Sequence, residues 1–207
     1  MTDETHIMVD IETLGNDTKT GLIMAIGAVK FNPWCLEKRT VEPLPECNYQ
    51  SATEFYVILS VENGMLHGFQ IDIETYKWWT RPERIQAYAH MRMAKDVQSL
   101  YNALRMFAEW CGISDIWCWS HGNTFDGVHL VEKFKYLQIR DSSMRNPLHY
   151  RRLMDTRTLF KTHHALLGED VQWPARQQHH HPLDDARVQV MAVQQAMQNL
   201  RCGKVIR

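Results

Sequence analysis

The segment that most constrains the fold is residues 7–13, a short apolar run that carries two acids, Asp10 and Glu12, near its C-terminal end. Ile7, Val9 and Ile11 recur at every second position, which is the period of a β-strand, although Met8 between them is also apolar. Side chains of a strand alternate between faces, so Asp10 and Glu12 share one face and lie about 7 Å apart. Two carboxylates on one face of a buried strand repel each other and lose solvation, and a bound cation would relieve both effects. We therefore expect this strand to form the floor of a metal site.

The same tetrapeptide, Asp-Ile-Glu-Thr, occurs a second time at residues 72–75. Its flanks differ, because it leads into Tyr-Lys-Trp-Trp, which is typical of the start of a helix. In that setting Asp72 is a natural N-cap, and Glu74 complements the helix dipole in the first turn. The second copy therefore indicates a helix start and not a second metal site.

Length and composition limit the class of protein. The chain has 207 residues, 44% of them hydrophobic, and a formal charge of -1. This length suits one α/β domain or at most two small ones, and we expect a single domain over residues 1–207. No apolar run approaches the roughly 20 residues that span a membrane, and the N-terminus lacks a signal pattern. Near-neutral charge argues against bulk coating of nucleic acid but leaves room for a local site whose charge is set by metals.

Cysteine usage points to a reducing compartment. The number of cysteines is odd and no pair has Cys-x-x-Cys spacing; they are Cys35, Cys47, Cys111, Cys118 and Cys202. We expect them to be reduced, in a cytoplasmic protein without a zinc site.

The order of predicted elements indicates an α/β fold with a mixed sheet flanked by helices. After the first strand, strands are predicted at residues 22–31, 53–59 and 115–120. The first three are expected to be antiparallel, and the fourth to lie parallel beside the first. Helices are predicted at 72–91 with a break at Pro82, at 97–110, at 128–139, from Asp155 onward, and at 183–200, whereas residues 163–181 read as polar and irregular.

Residues 133–161 form a basic section with eight Lys or Arg against two Asp. Arg151, Arg152 and Arg157 could contact phosphates there. The alternative is a solvated basic face, and the sequence leaves the two open.

Acids occur at three places that the predicted sheet brings to one edge. Asp10 and Glu12 end the first strand, Asp126 follows the fourth, and Asp184 and Asp185 open the last helix. Sites in α/β proteins usually form at such an edge. Carboxylates without cysteine are the ligands of a hard cation such as Mg²⁺ or Mn²⁺. His180, five residues before Asp185, comes from a loop and could act as a base beside the metal.

These motifs, in this order, resemble those of the DEDD 3′–5′ exonucleases of the DEDDh subtype, which have a ribonuclease-H-like fold. The matching features are Asp-x-Glu-Thr near the N-terminus, an Asn-containing loop that ends in Phe-Asp, and His-x-x-x-x-Asp near the C-terminus. They cover residues 10 to about 190. Trp78-Trp79 between the first two motifs also resembles the exonuclease VIII and phage exonuclease A-like branch.

The resemblance implies a role for each matching residue. Asp10, Glu12, Asp126 and Asp185 would bind two Mg²⁺ or Mn²⁺ ions, and His180 would be the general base that takes a proton from the attacking water. Nucleoside 5′-monophosphates would be released from a 3′ end. Thr13 and Leu14 match positions that bind the terminal nucleotide, with Leu14 as a wedge against the last base, and Asn123 of the motif-two loop is the third expected substrate-binding residue.

Two departures from the family pattern concern the loops. The motif-two Asn usually lies four residues before its Asp; here that position is Gly122, and Asn123 lies three before. His179 with Asp184 has the same spacing as His180 with Asp185. Helical phase favours the second pair, because residues 185, 188, 192 and 196 form one inward row, whereas Asp184 is better placed as a cap.

Structural readings remain open for several neighbouring residues. His179 and His181 are expected to be solvated loop residues, and His121 to be a hydrogen-bonding residue of its loop, with contact to substrate as the alternative. The tryptophans are expected mostly in the core, with Trp78 or Trp79 the choice for base stacking, since both cannot easily face inward.

Three functional interpretations follow. The favoured one is a 3′–5′ exonuclease on single-stranded ends, with DNA slightly preferred. The second is an exoribonuclease that trims RNA or short oligoribonucleotides, and the third is a binding module of the same fold without catalysis. Many members of the family are homodimers, so the resemblance also allows for a homodimer.

Overall fold

The computed structural model describes residues 4–35, 42–112 and 116–203. Six strands form one sheet, in the order β3-β4-β2-β1-β5-β6. The strands are β1 (Thr5–Thr13), β2 (Ile23–Phe31), β3 (Tyr49–Gln50), β4 (Glu54–Ile58), β5 (Ile116–Ser120) and β6 (Leu153–Asp155). The helices are α1 (Val61–Leu66), α2 (Ile73–Trp79), α3 (Ile85–Met93), α4 (Leu100–Cys111), α5 (Asp126–Gln138), α6 (Thr156–Leu167) and α7 (Pro182–Arg201).

The sheet is mixed, as the sequence predicts. β2 is antiparallel to both β1 and β4, whereas β5 is parallel to both β1 and β6. The two-residue strand β3 adds an antiparallel edge that the sequence did not indicate. β6 was missed as well; it is three residues long and ends at the cap of α6. Such short strands carry too few residues to show a period.

The central strands β1 and β2 are buried on both faces, because helices cover the sheet. Ile7, Met8 and Val9 have no exposed surface, and neither do Ala25 and Ile26. This explains why the run of residues 22–31 is apolar without alternation. Across the part of the chain that the structure describes, no helix combines the length and apolar character needed to cross a membrane.

The helix starts follow local capping chemistry. Asp72 is the N-cap of α2, and its side chain accepts from the Thr75 N–H, as predicted. Asp155 caps α6 in the same way, through the Arg157 N–H. α2 and α3 are separate helices, as the break at Pro82 predicts. Gly112 ends α4 with a φ of 82°, a conformation that favours glycine.

Other boundaries differ from the predictions. α4 begins at Leu100 after the N-cap Ser99, three residues later than expected. α1 was not predicted, and α6 continues through His163 to Leu167, so residues 163–167 are helical and not irregular. His163 is fully buried, and its ring nitrogens form hydrogen bonds with the Glu169 carbonyl and the Asn199 amide, which replace its contacts with water. The predicted start of the fourth strand, Asp115, lies outside the described residues.

α7 lies across β1 and β2, and a glycine allows it to do so. Gly27 faces Asp10 in the β1–β2 register. A Cβ atom at Gly27 would lie 2.2 Å from backbone atoms of both Pro182 and Leu183, at the start of α7. Only glycine therefore permits this close approach of a helix to the sheet.

Candidate active site

The acid-bearing end of β1 projects beyond its parallel neighbour. β5 pairs with β1 only as far as Met8, while β2 stays paired through Glu12, after which the register shifts. The Ile11 N–H is thus left without a partner strand on the β5 side, and it donates to Asp126 Oδ1 at 3.2 Å. Asp126 lies in the first turn of α5, directly after the loop that follows β5. The parallel pairing of β5 with β1 therefore brings the second motif to the first.

Asp185 reaches the same place from α7. The predicted inward row is buried: Asp185 is 8% exposed, Val188 1%, and Ala192 and Ala196 0%. Asp184 is not the cap that the sequence suggested, since α7 begins after His181. Instead, the Asp184 carboxylate accepts from the N–H groups of Gln177 and Gln178 and holds the preceding loop.

Gln189 completes the support of the first acid. Its Nε2 donates to Asp10 Oδ1 at 2.8 Å. Gln189 lies one turn after Asp185 on α7 and is 3% exposed. Sequence reasoning missed this residue, although its spacing of four from Asp185 places it on the same helix face.

Burial raises the pKa of all four acids. For Asp10 and Glu12 desolvation is the largest cause, and the charges of the neighbouring acids add to it. Desolvation raises the pKa of Asp126 to about 7. It also raises that of Asp185, against an opposing effect from Arg176. A cluster of this kind holds full negative charge at neutral pH only beside a positive charge.

His180 faces this cluster. Ligand atoms of Glu12, His180 and Asp185 all lie within 4.8 Å of one another. Burial, followed by the nearby Arg84 and other cations, lowers the pKa of His180, so its imidazole is neutral near pH 7. The backbone of His180 has a φ of 61°, in the left-handed region that non-glycine residues rarely adopt.

Two aromatic rings position the His180 ring. Trp78 and Trp79 lie 4.9 and 5.8 Å from it, both nearly perpendicular. Trp79 is 1% exposed and donates through Nε1 to the Thr13 carbonyl, whereas Trp78 is half-buried. Trp79 is thus the more deeply buried of the pair, while Trp78 packs partly against the core, and base stacking by either residue stays a prediction.

Two adjoining cavities open at this end of the sheet. We call the first the acid cavity; it measures about 380 Å³ and is lined by the four acids together with His180 and basic residues. The second, the aromatic cavity, measures about 460 Å³ and is lined by Trp78, Trp79 and Thr13. Both cavities share Ile11, Glu12 and Phe125 in their lining, so they adjoin one another, and we call the two together the cleft.

Of the three residues predicted to bind the nucleotide, one lines a cavity and two do not. Thr13 lines the aromatic cavity. Leu14 is 1% exposed, and Asn123 is 7% exposed with its N–H donating to Asp155 Oδ2 at 2.9 Å. The Asn123 side chain packs against Gly127, where a Cβ atom would lie 2.0 Å from Asn123 Oδ1. Neither Leu14 nor Asn123 lines these two cavities, and their contact with substrate stays a prediction.

The other histidines give one confirmation and one correction. His121 forms a hydrogen bond with Thr156 at 2.8 Å, as expected of a loop residue, and it also lines the acid cavity. His181 is 2% exposed and its ring lies 4.5 Å from that of Tyr56, so the expectation that it is solvated was wrong. Its burial lowers its pKa to about 4.

Comparison with known proteins places the chain in a family. The model of the Rv2179c-like 3′-5′ exoribonuclease domain matches residues 5–197. The chain belongs to this family of 3′–5′ exonucleases. The membership confirms the DEDDh assignment made from the motifs; the closer resemblance to the exonuclease VIII branch stays a prediction. A search of curated proteins gave no match.

Solved structures show that the family member has the exonuclease I fold. Exonuclease I from Methylocaldum szegediense is 14% identical, with a TM-score of 0.59 over 97% of this chain and 41% of that one. The zinc-bound complex of E. coli exonuclease I with single-stranded DNA is 11% identical, with a TM-score of 0.63 over 96% of this chain and 41% of that one. The chain thus spans about two fifths of these proteins, and the predicted ribonuclease-H-like mixed sheet is confirmed.

Proposed function

We propose that this family member is a divalent-metal-dependent exonuclease that removes nucleoside 5′-monophosphates from the 3′ end of single-stranded nucleic acid. The observation that carries the proposal is the convergence of four acids with raised pKa values in one cavity. They come from three elements far apart in sequence, and burying them together is unfavourable, which is typical of a functional site. The family match over residues 5–197 also supports one exonuclease domain for the chain.

The donor set fits a hard divalent cation. Carboxylate oxygens of Asp10, Glu12, Asp126 and Asp185 are the ligands that Mg²⁺ and Mn²⁺ prefer. Their pKa values are raised although Arg157 and Arg176 lie nearby, so the two arginines compensate the charge of the cluster only in part. We infer that the four acids hold two such divalent ions. Bound there, the metals would stabilise the negative charge on the reacting phosphate and favour ionisation of the attacking water.

The chain's own groups then position the reactants. Gln189 and the Ile11 N–H hold Asp10 and Asp126 in fixed orientations. His180, neutral near pH 7, accepts a proton from the attacking water at a ring nitrogen. The aromatic cavity, with Thr13 on its wall, receives the terminal nucleotide beside the acids.

DNA and RNA are both candidate substrates. The slight preference for DNA in the sequence interpretation is opposed by the matching family model, which is described as an exoribonuclease domain. RNA is therefore the second candidate substrate. The two polymers differ in the 2′-hydroxyl, which the wall of the aromatic cavity would have to recognise.

A labelled-substrate assay tests the function. Oligonucleotides with a 5′ label, as single-stranded DNA, duplex DNA and single-stranded RNA, are incubated with Mg²⁺, Mn²⁺ or EDTA. We expect stepwise shortening from the 3′ end and release of 5′-monophosphates with either metal and none in EDTA. Full activity in EDTA, or binding without mononucleotide release, would contradict the proposal; the second outcome would favour a non-catalytic binding module.

A further inference from the structure

One wall of the acid cavity carries positive charge and an exposed aromatic ring that the proposed chemistry does not use. It consists of Arg157 at the start of α6, and of Trp173 and Arg176 in the segment between α6 and α7. We call these three residues the basic wall. Arg157 and Arg176 line the acid cavity directly. Trp173 adjoins them, with the Arg176 guanidinium 5.8 Å from its ring centre.

The basic wall is a built surface. The Trp173 ring lies 5.3 Å from His121 and 5.4 Å from Phe160, perpendicular to both. His121 comes from the loop after β5 and Phe160 from α6, so two separate elements fix the indole. Even so, Trp173 is 42% exposed. A large aromatic side chain that is fixed by its neighbours but open to solvent beside a cleft is suited to stacking.

Arg157 packs against the motif-two loop at Gly122. Gly122 stands where the family motif has Asn, and it has a φ of 110°. A Cβ atom at Gly122 would lie 3.0 Å from the Arg157 guanidinium carbon. The guanidinium therefore fills the space that a side chain at residue 122 would take, and it brings a positive charge to the edge of the acid cavity.

Arg176 brings a second positive charge. Its Nε donates to Asp185 in an ion pair, which orients the guanidinium at the acid cluster. A guanidinium has four further N–H donors, and their planar arrangement matches the oxygens of a phosphate.

The two sides of the cleft differ in charge. The aromatic cavity contains two acids, Glu12 and Glu74, with Arg81. The two arginines of the basic wall line the acid cavity and are absent from the lining of the aromatic cavity. If the terminal nucleotide lies in the aromatic cavity and the scissile phosphate at the acids, the strand leaves the centre across the basic wall.

We propose that the basic wall is the binding site for the nucleotide upstream of the scissile phosphate, with a base stacked on Trp173 and a backbone phosphate held by Arg157 and Arg176. This inference rests on the proposed exonuclease function and extends it to the part of the substrate that is retained. Stacking on an aromatic ring accepts every base, so the site would bind the strand without selecting its sequence.

The test measures the activity of the full-length protein on two substrates. One is a single-stranded 12-mer, of whichever polymer is degraded faster. The other is the p-nitrophenyl ester of the corresponding nucleoside 5′-monophosphate, which has no nucleotide upstream of the phosphate. For Trp173→Ala we expect KM on the 12-mer to rise about 10-fold, since loss of one stack reduces binding by about that factor. The loss of kcat/KM on the 12-mer should exceed the loss on the ester at least about five-fold.

Control variants separate stacking from folding. Trp173→Phe keeps an aromatic face, so it should recover most of the KM on the 12-mer. Trp34→Ala removes another exposed indole, 59% exposed and absent from the lining of both cavities, and should match the wild type. Arg157→Gln should raise KM and reduce the slope of log(kcat/KM) against log salt by about 0.7, the value for one phosphate contact on a single strand.

The outcomes distinguish the two proposals. If the wild type shortens the 12-mer but Trp173→Ala loses equally on both substrates, or behaves as Trp34→Ala does, the basic wall is not the upstream site and the exonuclease function stands. If the wild type releases no mononucleotide from either substrate, the exonuclease function fails. Binding of the 12-mer, measured by fluorescence anisotropy, then tests the basic wall alone: equal affinity of Trp173→Ala and wild type would overturn it.

Discussion

The tetrapeptide Asp-Ile-Glu-Thr occurs twice in this chain and has two different structures. At residues 10–13 it ends β1, and at residues 72–75 it starts α2. Desolvation raises the pKa of Asp10 well above its usual value. Hydrogen bonds from the Thr75 N–H and hydroxyl lower the pKa of Asp72, which is exposed. The same carboxylate is thus destabilised in one copy and stabilised in the other.

The difference teaches that the flanks, and not the tetrapeptide, determine the chemistry. The first copy continues an apolar strand that neighbours bury on both faces, so its acids are largely desolvated and meet solvent only at the acid cavity. The second follows a turn, so its aspartate turns back to cap a helix. The two copies also meet: the Asp72 N–H donates to the Leu14 carbonyl at 2.7 Å, and Glu74 and Thr75 line the aromatic cavity. The second copy is therefore more than the helix cap that the sequence suggested.

The largest expected effect comes from removing each aspartate in turn. Asp10→Ala should lower exonuclease activity at least about 1,000-fold, because it removes a metal ligand, while the circular dichroism spectrum stays native. Asp72→Ala should keep activity within about three-fold but lower the free energy of unfolding by about 1 kcal/mol, because a helix cap is lost. Mononucleotide release and urea unfolding measure the two effects. Release of mononucleotides by Asp10→Ala at the wild-type rate would contradict both the metal site and the mechanism.

The second-largest expected effect is on stabilisation by metal, which should depend on the first copy of the tetrapeptide and not on the second. With Mg²⁺ or Mn²⁺ at about 100 times its dissociation constant, ligand linkage stabilises the folded state by about 2.7 kcal/mol and should raise the melting temperature by roughly 5–10 °C. We expect the wild type and Asp72→Ala to show the same rise, and Asp10→Ala to show less than a third of it. Differential scanning fluorimetry with and without EDTA gives the measurement. An unchanged melting temperature in the wild type would contradict a metal site.

The glutamates of the two copies should differ in how they affect stability with pH. The raised pKa of Glu12 means that the folded state binds more protons than the unfolded state at pH values above about 4.5, so this residue lowers stability as pH rises through that window. Without divalent metal, Glu12→Gln should therefore stabilise the protein by about 1–2 kcal/mol at pH 8 and by much less at pH 4.5.

The matched control is Glu74→Gln, which removes an exposed carboxylate paired with Lys77 at 2.7 Å. Its free energy of unfolding should change by less than about 0.5 kcal/mol at either pH. Urea titrations of both variants at the two pH values measure this. A gain for Glu12→Gln that does not depend on pH would show that its charge is not the cause.

The smallest effect is expected from Asp72→Asn. Asparagine caps helices about as well as aspartate, so stability should change by less than about 0.5 kcal/mol and activity should stay at the wild-type level. Asp10→Asn, with the same change of one atom, should be inactive. A strong loss of activity in Asp72→Asn would indicate that the second copy takes part in the reaction through its charge.

The sequence predicted the parts of the fold with strong periodicity. β1 was located from the alternation of its side chains. α7 was located from a row with the 3.6-residue period of a helix, formed by Asp185, Val188, Ala192 and Ala196. Both patterns extend over enough residues to show their period. α1 has six residues and β3 two, which is too short to show a period. His163 made the end of α6 look irregular, since its polar ring is satisfied by partners that only the folded chain supplies.

The candidate site divides in the same way. Its acids and His180 lie in motifs, so their order along the chain was informative. Trp173 and Arg176 come from the segment between α6 and α7, where no period or motif marks them. Trp173 contacts His121, which lies far from it in the sequence, and Arg176 forms an ion pair with Asp185. No sequence motif links the members of either pair. Only the folded structure shows them beside the acids.

Gly27 bears on how mutational data for this protein should be interpreted. It has no functional group and lines neither the acid cavity nor the aromatic cavity, yet any side chain at this position would collide with the backbone at the start of α7. The collision would displace the helix that carries Asp185 and Gln189 while every motif residue stayed in the sequence. A saturation scan scored by catalysis would therefore rank Gly27 beside the acids, and a search for homologues that relied on the acids alone would accept sequences in which the last helix can no longer dock.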